Sequence, residues 1–246
     1  MRWIQKKNEP RELTEWRVRY AKDTNFGYDL MRKDQLVTKA VTDLLVEEQG
    51  GLCAYSGMPI KGYIEIEKNG TKYHKCYCHI DHVKAQDHCI PYETVTYSNM
   101  VACYPGPNPE HKTPYGGEKK GKWPDYAKGE QTLFVSPLDQ SCETRFLFNL
   151  IGEIKHNEGD KPAETTINKL GLDDEQLRKL RQGAIQGTLG LKNTLPLKDA
   201  RSRLTKLQSP QTGRLEPFCF VLIQALQIHI KRLEKIAKYK PKNNKK

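Results

Sequence analysis

The chain has 246 residues, which suits one large domain or two small ones, and no apolar run approaches the roughly 20 residues that a membrane span requires. Its odd number of cysteines, seven, and its polar first residues argue against a secreted disulfide scaffold, so we expect a cytoplasmic protein without a membrane partner. The formal net charge of +11 is concentrated in residues 201–246, where twelve Lys and Arg face two Asp and Glu. Such a block suits phosphate backbones, an acidic protein partner or a solvated tail.

A helix is predicted over residues 34–49, where apolar residues recur at helical spacing. Asp34 can cap its first turn, and Gly50-Gly51 ends it. We therefore interpret residues 1–50 as an N-terminal helical segment and a candidate for partner contact.

A β-hairpin is predicted over residues 60–83, because two β-prone arms flank Asn69-Gly70, the strongest short hairpin signal. The return arm is expected to run on to His82. Short strands are expected in LFVSPL and RFLFNLIGEI, which cover residues 133–138 and 145–154.

The C-terminal part of the chain is predicted to be helical. Asp173 followed by Gln176 is a capping box of the Asx type at the start of one helix. Apolar residues form a helical stripe over residues 217–239 and predict a second helix.

The segment that carries chemistry is the run from Cys78 to Gln86, which contains His79, Asp81 and His82. Alternate side chains of a strand share a face, so His79 and Asp81 point together and His82 points away. Asp81, with or without His79, can hold a divalent ion that stabilises charge on a scissile phosphate. His82 can remove a proton from water, since the ordinary pKa of histidine lies near neutral pH.

Together with further motifs, this segment resembles the HNH endonuclease superfamily, whose site is a β-hairpin followed by a helix around one metal ion. Within it, the chain is most similar to the PtuB nuclease subunit of Septu-type and retron-linked antiphage defence systems. The likeness covers roughly residues 1–155. Its motifs are the opening MRWIQK, CAYSG at 53–57, HIDHVKAQ at 79–86, YSNMVACYPG at 97–106, GGEKKG at 116–121 and SPLDQSCETRF at 136–146.

The resemblance implies an α+β fold, with an HNH ββα-metal core of hairpin plus helix at residues 51–155. N-terminal helices at 1–50 and a basic C-terminal helical region at 156–246 would flank it. It implies a Mg²⁺- or Mn²⁺-dependent endonuclease that hydrolyses phosphodiester bonds of DNA or RNA, tRNA included. The implied partners are the nucleic acid, a PtuA-like ATPase of the ABC/SMC type and a retron reverse transcriptase–msDNA complex.

The resemblance also implies roles for single residues. His82 matches the general base, Asp81 a metal ligand, and Asn99 the residue that braces the loop holding the histidine. The last metal ligand is either Asn108, nine residues after Asn99, or His111, in which case Asn108 caps the following helix.

The chain departs from the family pattern at the zinc knuckle. The first Cys-x-x-Cys is Cys53-x-x-Ser56, and only Cys53 and Cys103 remain at matching positions. A structural zinc needs four ligands, so we expect an empty or absent knuckle, although Cys76 and Cys78 could substitute. The competing interpretations are an HNH-like module that binds without efficient cutting and a zinc-ribbon binder of nucleic acid that uses these four cysteines.

The Gly-, Pro- and Lys-rich loop at residues 104–132 is predicted to face substrate, with lysines on phosphates and aromatic rings on unpaired bases. The alternative is a solvated loop whose rings pack on the domain. The lysines are Lys112, Lys119, Lys120, Lys122 and Lys128, and the aromatic residues are Tyr104, Tyr115, Trp123 and Tyr126.

Overall fold

The computed structural model describes residues 1–107, 112–209 and 213–239. Within these ranges the protein is α+β, as predicted, with nine α-helices and three two-stranded antiparallel sheets. The helices are α1 Arg11–Tyr20, α2 Tyr28–Met31, α3 Gln35–Glu48, α4 Pro91–Thr94, α5 Gly117–Lys120, α6 Lys161–Lys169, α7 Glu175–Leu189, α8 Leu197–Gln208 and α9 Cys219–Tyr239. The strands are β1 Tyr63–Lys68, β2 Thr71–Cys76, β3 His79–His82, β4 Met100–Cys103, β5 Phe146–Phe148 and β6 Ile154–His156.

Helix α3 confirms the prediction for residues 34–49. The Asp34 side chain accepts hydrogen bonds from the backbone amides of Leu36 and Val37, so it caps the helix as expected. The helix turns Val37, Val41, Leu45 and other apolar residues into the core.

The hairpin turn at Asn69-Gly70 is confirmed, and both residues have positive φ. The prediction that the return arm continues to His82 is wrong. Strand β2 ends at Cys76, and the next strand, β3, pairs with β4 in a separate sheet. Every residue of β4 is buried, whereas β1 and β2 are largely exposed, so the apolar β4 provides β3 with a partner inside the core.

The predictions for the next segment are partly right. Strands β5 and β6 fall almost entirely within RFLFNLIGEI, but residues 133–138 form no strand, because the amide of Val135 donates to the Thr166 hydroxyl instead. The cap of α7 is Asp174 rather than Asp173, which instead accepts a hydrogen bond from Ile154 and pairs with Arg178.

The predicted C-terminal helix corresponds to α9, and its first half is part of the core. One buried apolar cluster includes residues from all three predicted segments of the chain. From α9 it takes Phe220, Val221, Leu222, Ala225, Leu226 and Ile230. Among the described helices, none is both long and apolar enough to cross a membrane.

Candidate active site

The candidate site is centred on β3, whose partner β4 lies in antiparallel register with His79 opposite Cys103 and His82 opposite Met100. The imidazole of His79 lies with its Nδ1 2.6 Å from the carbonyl oxygen of Pro105. A carbonyl can only accept a hydrogen bond, so this contact places the proton on Nδ1. In the neutral ring the other nitrogen, Nε2, then carries the free lone pair that can bind a metal ion.

Asp81 lies on the same side of β3 and is already engaged through one oxygen. The Tyr55 hydroxyl donates to its Oδ2 at 2.6 Å, and Lys120 Nζ lies 3.2 Å from that oxygen. Burial raises the pKa of Tyr55 well above its usual value, so the phenol remains a donor. No described residue donates a hydrogen bond to Oδ1, which leaves that oxygen able to bind a cation.

Lys120 is a buried residue of this site and not a mobile charge on its surface. Its side chain has 0% exposure, and Nζ donates to the backbone oxygen of His82 at 2.6 Å. The prediction that Lys120 contacts substrate phosphates does not fit this position, because both its charge and its donors are used inside the protein. Lys112 and Lys119 are exposed, and Lys122 is exposed and pairs with Asp87.

The packing of α5 against β3 depends on a glycine at the start of that helix. A Cβ on Gly117 would lie 3.0 Å from His79 Nε2 and 3.4 Å from Asp81 Cγ. Glycine therefore leaves open a space between these two groups that an alanine side chain would partly fill. His79 and Asp81 thus face one small space that α5 borders.

These groups fit a divalent ion in part. One imidazole nitrogen and one carboxylate oxygen are suitable ligands for Mn²⁺ or Mg²⁺. Within the described ranges, no three His, Cys, Asp or Glu side chains converge as a metal site. The expected third ligand, Asn108 or His111, lies outside the described residues.

His82 points to the other face of β3, as strand alternation predicts. Only 5% of the residue is exposed, its Nε2 lies 2.7 Å from the Thr94 carbonyl oxygen, and its ring meets that of Tyr28 edge-on at 4.7 Å. The carbonyl places the proton on Nε2, so Nδ1 is the acceptor, and no described residue donates to it. Burial lowers the pKa of His82 below its usual value of 6.5, so the ring is neutral at pH 7.

Asn99 holds the backbone that follows His82. Its Oδ1 accepts from the Lys84 amide at 2.8 Å, and its Nδ2 donates to the Lys84 carbonyl at 3.2 Å. The Asn99 carbonyl also accepts from the Val83 amide at 2.8 Å. The side chain therefore closes the loop between β3 and β4.

The four cysteines of the zinc-ribbon interpretation form two pairs. Cys76 and Cys78 have sulfur atoms 3.8 Å apart, and Cys53 lies buried beside Cys103. Burial raises the pKa of the Cys53 thiol, but hydrogen bonds from Cys103 and Ser56 outweigh it and lower that pKa below its usual range. Two thiols do not satisfy a four-coordinate zinc, so neither pair fits a structural zinc by itself.

The segment 104–132 differs from the predicted substrate-facing loop in its aromatic residues. Tyr115 and Trp123 are buried, and the Trp123 ring packs against Phe134 at 5.1 Å. The rings of these two residues pack on the domain, which was the alternative interpretation. Tyr126 is half-buried, and Lys84 Nζ lies 5.3 Å from its ring.

Sequence reasoning did not identify Tyr55, Tyr28 or Thr94 as parts of this site. Tyr55 stands in the CAYSG turn, two residues after Cys53, and belongs to no recognised metal or catalytic motif. A buried tyrosine hydroxyl needs a partner, and that requirement was the only available signal. No protein-family model matches the chain, and no curated protein sequence matches it.

Proposed function

We propose that this protein is a metal-dependent endonuclease of the HNH type, which hydrolyses phosphodiester bonds of nucleic acid. One observation carries the proposal: two histidines of one short strand each donate a ring N–H to a backbone carbonyl. In the neutral ring, each of these hydrogen bonds fixes the tautomer and leaves the other nitrogen with a free lone pair. His79 directs its lone pair into the space beside Asp81, and His82 keeps its own for a proton.

In this proposal Asp81 and His79 hold a Mg²⁺ or Mn²⁺ ion, and Asn108 or His111 completes its shell. The bound ion would stabilise the negative charge that develops on the phosphate and the leaving oxygen. Tyr55 and Lys120 keep the Asp81 carboxylate in place by occupying Oδ2.

His82 is the proposed general base. Nδ1 takes a proton from the attacking water, and the carbonyl of Thr94 stabilises the resulting imidazolium through Nε2–H. Lys120 is a positioning residue, because its ammonium group holds the backbone oxygen of His82 and the side chain of Asp81 together.

The biological setting rests on the resemblance to the PtuB family. We propose that the chain is the effector of an antiphage complex with an ABC/SMC-type ATPase. Copurification of that ATPase with the tagged full chain tests this part separately from the chemistry.

The test of the chemistry is a cleavage assay on labelled DNA and tRNA with Mg²⁺, Mn²⁺ or EDTA. Wild type should cut with either metal, and Asp81→Ala and His82→Ala should each lose at least about 100-fold in rate. His74→Ala is the matched control, because His74 is exposed on β2 and outside the site. Wild-type turnover in either site variant would overturn the assignment.

A second candidate function is a binding module that does not cut. The observation that favours it is that Asp81 already has a cationic partner in Lys120 and that His82 is buried. In that case the same residues serve to join β3, α5 and the segment around Thr94. Asp81→Ala would then lower the melting temperature, and neither metal binding nor cleavage would be measurable in wild type.

A further inference from the structure

The β1–β2 hairpin extends from the domain as an arm that touches the rest of the protein at its base. There the amide of Tyr63 donates to Asp43 at 3.2 Å, and the amide of Tyr77 donates to the carbonyl of Lys61 at 3.3 Å. Toward the tip the side chains are mostly exposed, and a Cβ on Gly70 would meet nothing within 4 Å. Two strands of six residues make an arm of about 20 Å.

The register of the hairpin sorts its side chains onto two different faces. Tyr63 is paired with Cys76, and Lys68 with Thr71, so alternate residues of both strands share a face. We call one of them the basic face; it consists of Ile64, Ile66, Lys68, Thr71, Tyr73 and Lys75. The opposite, acidic face consists of Tyr63, Glu65, Glu67, Lys72, His74 and Cys76.

The two faces differ in charge and in ion pairing. Both glutamates of the hairpin lie on the acidic face, where Glu65 pairs with Lys72 at 2.8 Å. Lys68 and Lys75 on the basic face are exposed, and neither forms an ion pair with a described residue. The basic face therefore presents two lysines without a compensating carboxylate.

The same face exposes apolar and aromatic surface. Ile64 is 36% exposed and Tyr73 is 42% exposed. Tyr77 continues this face beyond the strand, with Lys75 Nζ 5.2 Å from its ring. Exposed tyrosines between lysines can stack on bases while the ammonium groups meet phosphates, and a two-stranded ribbon also fits the major groove of a duplex.

The arm is directly connected to the candidate active site. Only Tyr77 and Cys78 separate β2 from His79, the first residue of β3. Nucleic acid bound along the arm would therefore lie next to the residues proposed to cut it.

From these observations we infer that the basic face of the β1–β2 hairpin is a nucleic-acid-binding arm, which guides the strand to the site on β3. That the bound nucleic acid is also the substrate rests on the proposed function. Binding to the arm does not require cutting. The exposed tyrosines of the hairpin, and not the buried Tyr115 and Trp123 of segment 104–132, are the rings proposed to stack on bases.

The test is equilibrium binding of the full chain to labelled single-stranded RNA, single-stranded DNA and duplex DNA, measured by fluorescence anisotropy. EDTA is present, so cleavage does not contribute. The variant Tyr73→Ala/Lys75→Ala alters the basic face, and Lys72→Ala/His74→Ala is its matched control on the other face of the same strand. Circular dichroism checks that both variants fold.

We expect the basic-face variant to lose at least about tenfold in affinity for one or more probes, with a smaller salt dependence, and the control to stay within about twofold. The probe that is most affected identifies the strand type. Equal losses in both variants, no loss in either, or no binding by wild type would overturn the inference. Loss of a protein partner with unchanged nucleic-acid affinity would also overturn it, in favour of a protein-docking arm. Arm-dependent binding without cutting in Mg²⁺ or Mn²⁺ would support the arm and contradict the proposed endonuclease.

Discussion

Replacing Gly117 with alanine adds one methyl group next to the two side chains that are proposed to hold the metal ion. The new Cβ would lie 3.0 Å from His79 Nε2 and 3.4 Å from Asp81 Cγ. The methyl group would occupy part of the space that these two proposed metal ligands face. We therefore expect Gly117→Ala to weaken Mn²⁺ binding at least about tenfold, the scale usual for changes beside metal ligands.

The fold should tolerate this change. The φ of Gly117 is not positive, so alanine can adopt this backbone conformation, and the neighbouring His79 side chain needs to shift by only a few tenths of an ångström. Gly183→Ala is the matched control, because Gly183 lies in α7 and its Cβ would meet nothing within 4 Å. Isothermal titration with Mn²⁺ and thermal melts measure both effects. Unchanged Mn²⁺ affinity in a folded Gly117→Ala protein would refute the placement of the ion between His79 and Asp81.

Three further substitutions test the packing around this site and in the C-terminal half. Lys120→Met should lower the free energy of unfolding by about 1–3 kcal/mol, because it leaves the buried carbonyl of His82 without its donor. The control Lys119→Ala, on the surface, should change that free energy by no more than about 0.5 kcal/mol. Equal melting temperatures for the two variants would contradict the burial of Lys120. Asp160→Asn should cost about 1–2 kcal/mol in urea unfolding at pH 7, because the Arg145 guanidinium holds the pKa of Asp160 below its usual 3.8. That stabilisation is present above the pKa of Asp160 in the unfolded chain and is lost as the pH falls through its lower pKa in the folded protein, so the difference in unfolding free energy between variant and wild type should begin to shrink near pH 3.8. A difference that does not change with pH would show that the ion pair does not contribute. Leu226→Ala, at a fully buried position of α9, should cost about 2–5 kcal/mol, and a cost below 1 kcal/mol would contradict its place in the core.

Local signals in the sequence predicted the local structure. Asp34 caps α3, and Asn69-Gly70 forms the hairpin turn, because each motif acts on residues two or three positions away. The choice of partner strand could not be predicted in this way. Strand β3 pairs with β4, about 20 residues further along the chain, because β4 is apolar enough to be buried on both sides.

The candidate site shows the same limit. Alternation along a strand predicted the opposite directions of His79 and His82. The prediction that Lys120 lies on the surface does not fit the structure, in which its side chain is buried. Its two partners, Asp81 and the carbonyl of His82, precede it by nearly 40 residues, and nothing near Lys120 in the sequence distinguishes it from the exposed Lys119. A buried lysine is recognised only when the groups that receive its hydrogen bonds are known.

The most direct test of the central claim is single-turnover cleavage of labelled tRNA and duplex DNA in Mn²⁺ by wild type and His82→Ala, followed from pH 5 to 8. We predict that wild type cuts and that its rate falls on the acid side with an apparent pKa below about 6.5. His82→Ala should be at least about 100-fold slower while still binding the substrate. A His82→Ala protein that cuts at the wild-type rate, or a wild-type protein that cuts neither substrate with Mn²⁺ present, would contradict this claim.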